Sequence, residues 1–450
     1  MKTVHLFAKI LTIKILGEKM KRWLLPILML LPSLAFAGDK LDSGDTAWMM
    51  VSTALVLLMT PAGLALFYGG MTRSKNVLNT YFMVFGAFIV GMVVWVSVGY
   101  SVAFGTFDGG LNKFFGGFSN VLLNGIKWDS LSGSYPTYVF VAFQGTFAAI
   151  TVAIASGSII ERMKFSTWLI FAALWITVVY APITHMVWGG GFLFDAGALD
   201  FAGGTVVHMN GGLAGLVLAF LVGKRKGYPK IAMKPMSVML TALGAALLWF
   251  GWFGFNAGSA FGANKVAGLA FLTTAFAPAV AGLTWIIIEY IVYKKTTLLG
   301  AASGVVAGLV AITPAAGFVD VTGAIIVGAV GSIIGFFGVS ALKKKFGYDD
   351  SLDAFGIHFL AGLWGALATG WLALDDKDLL WDGPLKASGD RMGQFMVQVE
   401  SVVVVGLVTL IGTVVVYYIA SAITGGARVD EETETIGLDE AVHGEAGFNM

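Results

Sequence analysis

Asp200-Phe-Ala-Gly-Gly-Thr-Val-Val-His208-Met-Asn-Gly-Gly-Leu-Ala-Gly-Leu-Val-Leu-Ala-Phe-Leu-Val222 starts at a carboxylate and continues as small and apolar residues around one histidine. Its apolar part, 203–222, is long enough to cross the ~30 Å hydrocarbon core of a bilayer as a helix. Similar stretches recur at 46–70, 81–104, 138–159, 167–187, 236–257, 267–292, 298–317, 322–341, 355–374 and 394–420. With 203–222 that makes eleven expected spans.

Composition agrees with a chain dissolved in lipid. Of 450 residues, 57% are hydrophobic and only 12% charged, about half the charged share of a soluble protein. The net charge is +1, so no basic field points to nucleic acid. The absence of cysteine excludes disulfides, thiolate metal sites and thiol catalysis. Glycine is abundant, at 60 residues, and small residues let membrane helices approach closely.

The loops alternate in charge. One set, with Arg428, carries 15 basic residues, among them Arg73, Arg162, Lys224 to Lys226 and Lys343 to Lys345; the other carries 7. The excess of positive charge places the first set in the cytoplasm. The mature N-terminus is then outside and the acidic tail from Arg428 inside. A signal peptide requires the same orientation. Lys21 and Arg22 precede an apolar run that ends at the small-x-small site Ala35-Phe36-Ala37. An uncleaved anchor is the alternative, and Met20 offers a second start. The expected division is a leader and signal peptide at 1–37, a transmembrane domain at 38–427 and a cytoplasmic tail at 428–450.

A second segment echoes the first. His358-Phe-Leu-Ala-Gly-Leu-Trp-Gly365 matches His208-Met-Asn-Gly-Gly-Leu-Ala-Gly215 in His, Gly, Leu and Gly at an offset of 150, and Asp350 and Asp200 each stand eight residues ahead. Five spans is an odd number, so spans 1–5 and 6–10 would be inverted copies. The expected fold is an all-α membrane protein with eleven transmembrane helices in a five-plus-five inverted repeat. Eight helical residues rise about 12 Å, so two histidines entering a ~30 Å core from opposite faces meet near the midplane. An ionisable group at that depth is costly and marks function; the plain alternative is a neutral ring bonded to a carbonyl. His185 sits near the outer end of span four, as a vestibule or structural residue.

At the same outer end, Phe143 and Phe147 share a helix face. Span four closes at Trp188, and span six ends in Trp252-Phe-Gly-Phe255-Asn-Ala-Gly-Ser259. Aromatic faces hold small cations and a serine hydroxyl accepts a hydrogen bond, although aromatic residues at membrane ends also serve as interface belt.

These segments resemble the ammonium transporter family (Amt/Mep/Rh), and its bacterial Amt branch in particular. The likeness runs through Ala65-Leu-Phe-Tyr-Gly-Gly70, Ala142-Phe-Gln-Gly-Thr-Phe147, His185-Met-Val-Trp-Gly-Gly-Gly191, Gly251-Trp-Phe-Gly-Phe-Asn-Ala-Gly-Ser259, Asp353-Ala-Phe-Gly-Ile-His358 and His443-Gly-Glu445. The resemblance implies an outer ammonium site at Phe143, Trp188 and Ser259 and a phenyl gate at Phe147 and Phe255. It also implies pore residues His208 and His358, with Trp252 beside them, and a supporting Asp200. It further implies a homotrimer in the inner membrane, plugged by a PII signalling protein, with ammonium or ammonia and membrane lipid as its other partners. No cofactor, metal or catalytic residue is expected. An electroneutral Rhesus-like ammonia channel and an ammonium sensor on the same fold are the alternatives. An intramembrane hydrolase would need a nucleophile or metal ligands that the two histidines lack. Asp200 also suits a helix cap, and an isosteric amide there is expected to keep most of the capping.

Overall fold

A backbone surrounded by hydrocarbon has to satisfy its own N–H and C=O groups, so apolar runs of this length become helices. The computed structural model describes residues 40–375 and 390–447 and consists almost wholly of such helices. They are α1 Ser43–Met71, α2 Ser74–Phe104, α3 Thr137–Ser156, α4 Phe165–Asp195, α5 Gly204–Val222, α6 Val238–Ala260, α7 Lys265–Tyr293, α8 Leu298–Ile312, α9 Val321–Phe346, α10 Phe355–Leu372 and α11 Arg391–Ile423. The expected signal peptide at 1–37 lies outside the described residues.

Polar residues flank the apolar runs and cap them. Side chains of Asp42, Ser237, Asn264, Thr297, Asp320 and Asp390 each accept a backbone N–H at the start of a helix, which satisfies a donor that the helix itself cannot pair. Among the described residues, ten helices are long and apolar enough to cross a membrane. The exception is α8, with 15 residues, where the sequence suggests a span over 298–317. Pro314 explains the early stop, because it has no N–H to donate to the preceding turn of the helix. The chain continues to Phe318 in turns that are fully buried. Irregular backbone is tolerated at such depth only where protein surrounds it.

Burial ranks the helices from centre to rim. In the most apolar part of α3, 83% of residues are buried, and in α5, 78%, against 28% in α11. Helices α3 and α5 are therefore central, and α11 covers the outside. Close contacts inside the chain use the glycines. A Cβ on Gly244 of α6 would lie 2.3 Å from the backbone nitrogen of Phe67 in α1, and one on Gly308 of α8 2.4 Å from Ala281 of α7. Both are far inside contact distance, so these glycines serve packing within the chain. Helices α5 and α10 cross antiparallel: Gly212 lies against the backbone of Phe359, and Gly362 against that of Gly204.

One end of the bundle is basic, and a buried ion network closes it. Glu161, fully buried after α3, pairs with Arg73 at 2.6 Å and Arg225 at 3.3 Å; Arg225 pairs with Asp349 at 2.8 Å. Burial works against both carboxylates, but the facing guanidinium groups outweigh it and hold them below the usual carboxylate range. Arg162 donates to the carbonyls of Ser158, Ile160, Gly223 and Asp349. Four loops are thereby tied at one end.

The tail packs onto this end, although a short polar tail by itself tends to disorder. Val429 N donates to Arg162 O, Lys226 N donates to Glu434, and a short helix, α12 Glu431–Ile436, starts at an Asp430 cap. Asp439 then accepts from Leu78 N and Asn79 N at 3.0 and 2.8 Å, so a tail carboxylate caps the second apolar run. His443 sits between the rings of Phe82 and Phe165, each 5.3 Å away, and its Nε2 lies 2.9 Å from the Asn79 amide nitrogen.

Half-burial lowers the His443 pKa, with Asp439 and Glu445 pulling it back in part. A ring that is harder to protonate when docked favours docking while it is neutral. The tail is therefore expected to stay docked above about pH 6.5, the ordinary histidine value, and to loosen as pH falls below it. Hydrogen exchange at residues 430–447 between pH 7.5 and 5.5 checks this: protection relative to the intrinsic exchange rate at each pH should fall at the lower pH, and should stop doing so in His443→Phe.

Candidate functional site

The residues singled out along four helices meet in one buried file. In α3, Phe143 and Phe147 stand four apart with ring centroids at 4.8 Å. Phe147 stacks on Phe255 of α6 at 4.1 Å and 22°. Phe255 lies 5.7 Å from His208 of α5, and His208 lies 5.4 Å from His358 of α10. The five rings thus follow one another through the centre of the bundle, all nine-tenths or more buried. At 4.1 Å the two phenyl rings are in van der Waals contact, so passage between them requires a ring to turn.

The two imidazoles face each other through Nδ1, 3.3 Å apart. A neutral imidazole has one donor and one acceptor nitrogen. One ring therefore donates its Nδ1 proton to the other, whose own proton is then on Nε2. His208 Nε2 is fully buried and has no partner among the described residues, so it is left as an acceptor or a donor according to which ring gives the shared proton. Trp252 is placed beside the histidines: it stacks on His208 at 5.2 Å and 19°. Its indole N–H donates to Thr313 Oγ1 at 2.9 Å, and Thr313 in turn donates to Leu309 O.

Local backbone places these rings. Around His208, Phe255 and His358 the helices widen to i→i+5 turns, at Gly204–Met209, Phe253–Ala257 and Phe355–Leu360. His208 N itself donates to Gly203 O at 2.9 Å. Such turns recur at functional positions because they shift a side chain off the regular helical face. Both histidine helices also begin at a buried carboxylate. Asp200 Oδ1 accepts from Gly203 N and Gly204 N, while Oδ2 accepts from Thr205 N, Val206 N and the Thr205 hydroxyl. Asp350 accepts from Ala354 N and Phe355 N.

At the aromatic end of the file, Trp188 approaches Phe147 edge-on at 6.2 Å, and its N–H donates to Asp200 O at 2.8 Å. Ser259 Oγ donates to Phe255 O at 2.9 Å, which leaves its lone pairs as acceptors. Asp200 is fully buried and does not reach the file with its carboxylate; it holds the helix start and, through its carbonyl, the Trp188 ring. His185 is structural: its ring nitrogens lie 2.9 Å from Ala103 O and 2.6 Å from Asn112 O, which clamps the loop beyond α2.

Sequence reasoning missed Thr313 and Phe261. The Thr-Pro pair inside an apolar run was a signal for the first. Phe261 meets Phe143 at 6.4 Å with φ +56°, and nothing in the sequence pattern marked it.

Asp200 also corrects one expectation. An amide was to keep most of the cap, but both carboxylate oxygens accept, five bonds in total. In Asn one of those atoms becomes an NH2 facing donors. Asp200→Asn is therefore expected to destabilise by on the order of 3 kcal/mol, the scale of losing a buried charge-assisted bond and stranding its donors. Thermal denaturation in mild detergent checks it; an unchanged midpoint would contradict the geometry.

The description of the ammonium transporter family matches residues 47–448. The chain is 49% identical to an ammonium transporter of Aquifex aeolicus over 430 residues, 94% of this chain and 98% of that protein. It is 46% identical to an ammonium transporter of Bacillus subtilis over 411 residues, 91% of this chain and 99% of the other. Among solved structures, Saccharomyces cerevisiae Mep2 superposes with a TM-score of 0.76 at 34% identity, covering 87% of this chain and 89% of that one. A protein described as a sensor Amt protein superposes at 0.81 with 28% identity, covering 89% and 98%. With its buried ring file, ten apolar helices and these relatives, the chain belongs to the ammonium transporter family.

Proposed function

We propose that this protein recruits ammonium at Phe143, Trp188 and Ser259, takes a proton from it, and conducts ammonia past Phe147 and Phe255 to His208 and His358, with net ammonium uptake. The observation that carries the reading is the Nδ1–Nδ1 contact of 3.3 Å at the end of a buried apolar file. A bare cation gains little from neutral imidazoles in a dry passage. Ammonia can donate to and accept from them, and two rings that share a proton can relay one.

Selection follows from the same chemistry. Ammonium and potassium carry the same charge and are similar in size, but potassium has no proton to release. It meets the full cost of an ion in an apolar passage, at least about 3 kcal/mol on insertion scales, and each ~1.4 kcal/mol is tenfold. Rejection by about a hundredfold or more is the minimum expected.

In this reading the chain lies in the inner membrane with eleven spans, the N-terminus outside and the tail inside, and works as a homotrimer that a PII protein plugs from the cytoplasm. Support comes from the loop charge of 15 against 7 and from the carboxylate-capped starts of both histidine helices. The tail that rests on the basic loops offers the plugging protein a fixed surface. The buried turns after α8 extend its short helix as the eleventh crossing. An ammonium sensor on the same fold is the second reading, which an added cytoplasmic signalling domain would favour. An electrically silent uptake would instead mark a Rhesus-like gas channel.

Replacing either histidine by aspartate puts a carboxylate and its water into the passage. His208→Asp and His358→Asp are expected to admit potassium in liposome flux assays, at least tenfold above wild type, while ammonium still passes. The double replacement by Ala should leave a dry gap and lose most transport of both. Continued exclusion of potassium in both aspartate variants would move the selectivity to Phe143, Trp188 and Ser259.

A further inference from the structure

Two cavities at the basic end join beneath the docked tail. The first holds about 540 Å³ and is apolar: Leu78, Tyr81, Phe82 and Phe85 of α2 line it, with Leu66 of α1 and Leu240 of α6 opposite. The α2 residues recur at i, i+3, i+4 and i+7, so they form one stripe along the helix; Tyr81, Phe82 and Phe85 are exposed in the isolated chain. The second cavity holds about 750 Å³ and is polar, with Ser74, Lys75, Lys234, Glu440 and Glu445 among its walls. Glu445 and Gly447 line both, so the two are continuous. An apolar groove running into the membrane thus opens, at the loop level, into a chamber that presents both signs of charge.

The charges available there are specific. Arg73 is engaged by Glu161, and Asp439 by the start of α2. Lys75 gives hydrogen bonds to the carbonyls of Glu434 and Thr435 and keeps a third donor. Lys234, Glu440 and Glu445 form no ion pair among the described residues. A ligand that satisfies this chamber needs an anionic group for Lys75, Lys234 and the Ser74 hydroxyl, a hydrogen-bonding cation for Glu440 and Glu445, and an apolar chain for the α2 stripe.

We propose that this composite cavity is a binding site for a phospholipid with a zwitterionic phosphoethanolamine headgroup. Its acyl chain lies along Leu78, Tyr81 and Phe85, its phosphate meets Lys75 and Lys234, and its ammonium group donates to Glu440 and Glu445. A phosphoglycerol headgroup satisfies the lysines with its one charged phosphate but offers the two carboxylates only neutral hydroxyls, which leaves both negative charges without a cation. A phosphocholine has the cation but no N–H to donate. Bound there, the lipid touches α1, α2, α6 and the tail at once, and joins tail docking to the composition of the membrane. The inference requires only that the chain spans a bilayer, and is independent of what the pore conducts.

Native mass spectrometry of the delipidated full-length protein, titrated with phosphatidylethanolamine, phosphatidylglycerol and phosphatidylcholine of identical acyl chains, tests it. At least fivefold tighter binding of phosphatidylethanolamine than of either other lipid is expected. Lys234→Glu should remove that preference by reversing one charge, and Leu66→Trp should weaken all three lipids by filling the groove. Both variants should keep wild-type ammonium transport, which reports that they fold. Equal binding of the three lipids, or an unaltered preference in Lys234→Glu, would overturn the proposal. Binding that appears only after removal of residues 448–450 would make the chain's own end the occupant, and binding that appears only on dissociation to monomers would make it a second copy; either result also overturns it.

Discussion

Two imidazoles held 3.3 Å apart in the buried centre of the bundle set the conditions that the surrounding helices meet. The rings come from α5 and α10, which cross antiparallel, so each helix has to begin deep enough for its histidine to reach the other. A helix start at that depth exposes amides that water cannot satisfy. Asp200 and Asp350 supply the acceptors, each eight residues ahead of its histidine. The widened turns that follow bring the rings off the regular helical face and toward each other. The close approach of Gly362 to the His208 Cβ, where a side chain would stand 3.2 Å away, shows how little room remains around the pair.

The rest of the file depends on that centre. Trp252 stacks on His208 and is itself held by Thr313, next to the proline that ends α8. Phe255 lies between that pair and Phe147, so α3, α5, α6 and α10, with Thr313 beyond α8, all contribute to one file of rings. At the basic end, Glu161, Arg73, Arg225 and Asp349 lock four loops together. Removal of Arg225, which pairs with both carboxylates, would leave buried Asp349 without its ion-pair partner, which costs far more than an exposed pair contributes. The tail extends this locked end, since Asp439 completes the start of α2 from 360 residues away.

Much of this was legible in the chain because hydrocarbon allows few solutions. Span positions followed from apolar length, and the described helices lie within several residues of them at most ends. The larger departures were α4, which runs to Asp195 where 187 was expected, α2, which starts at Ser74 where 81 was expected, and α8, cut short at Pro314. The pairing of His208 with His358 was legible from their shared offset of 150 and their preceding aspartates, since depth from each membrane face converts directly into position. The glycines were legible as packing residues, but not which helices they joined. Long-range side-chain partners left no pattern to read. Nothing near Glu161 indicates Arg225, nothing near Trp252 indicates Thr313, and His443 carries no mark of Phe82 and Phe165. Those contacts are set by how helices distant in sequence come to lie side by side.

The central claim is that a dry passage lined by paired histidines carries ammonium only after its proton has been separated from ammonia. Current recording from purified protein in liposomes, with ammonium, methylammonium and potassium gradients imposed in turn, tests it most directly. The account predicts currents with ammonium and methylammonium and none with potassium. A potassium current of similar size would contradict it, and ammonium uptake without any current would contradict the net transport of charge.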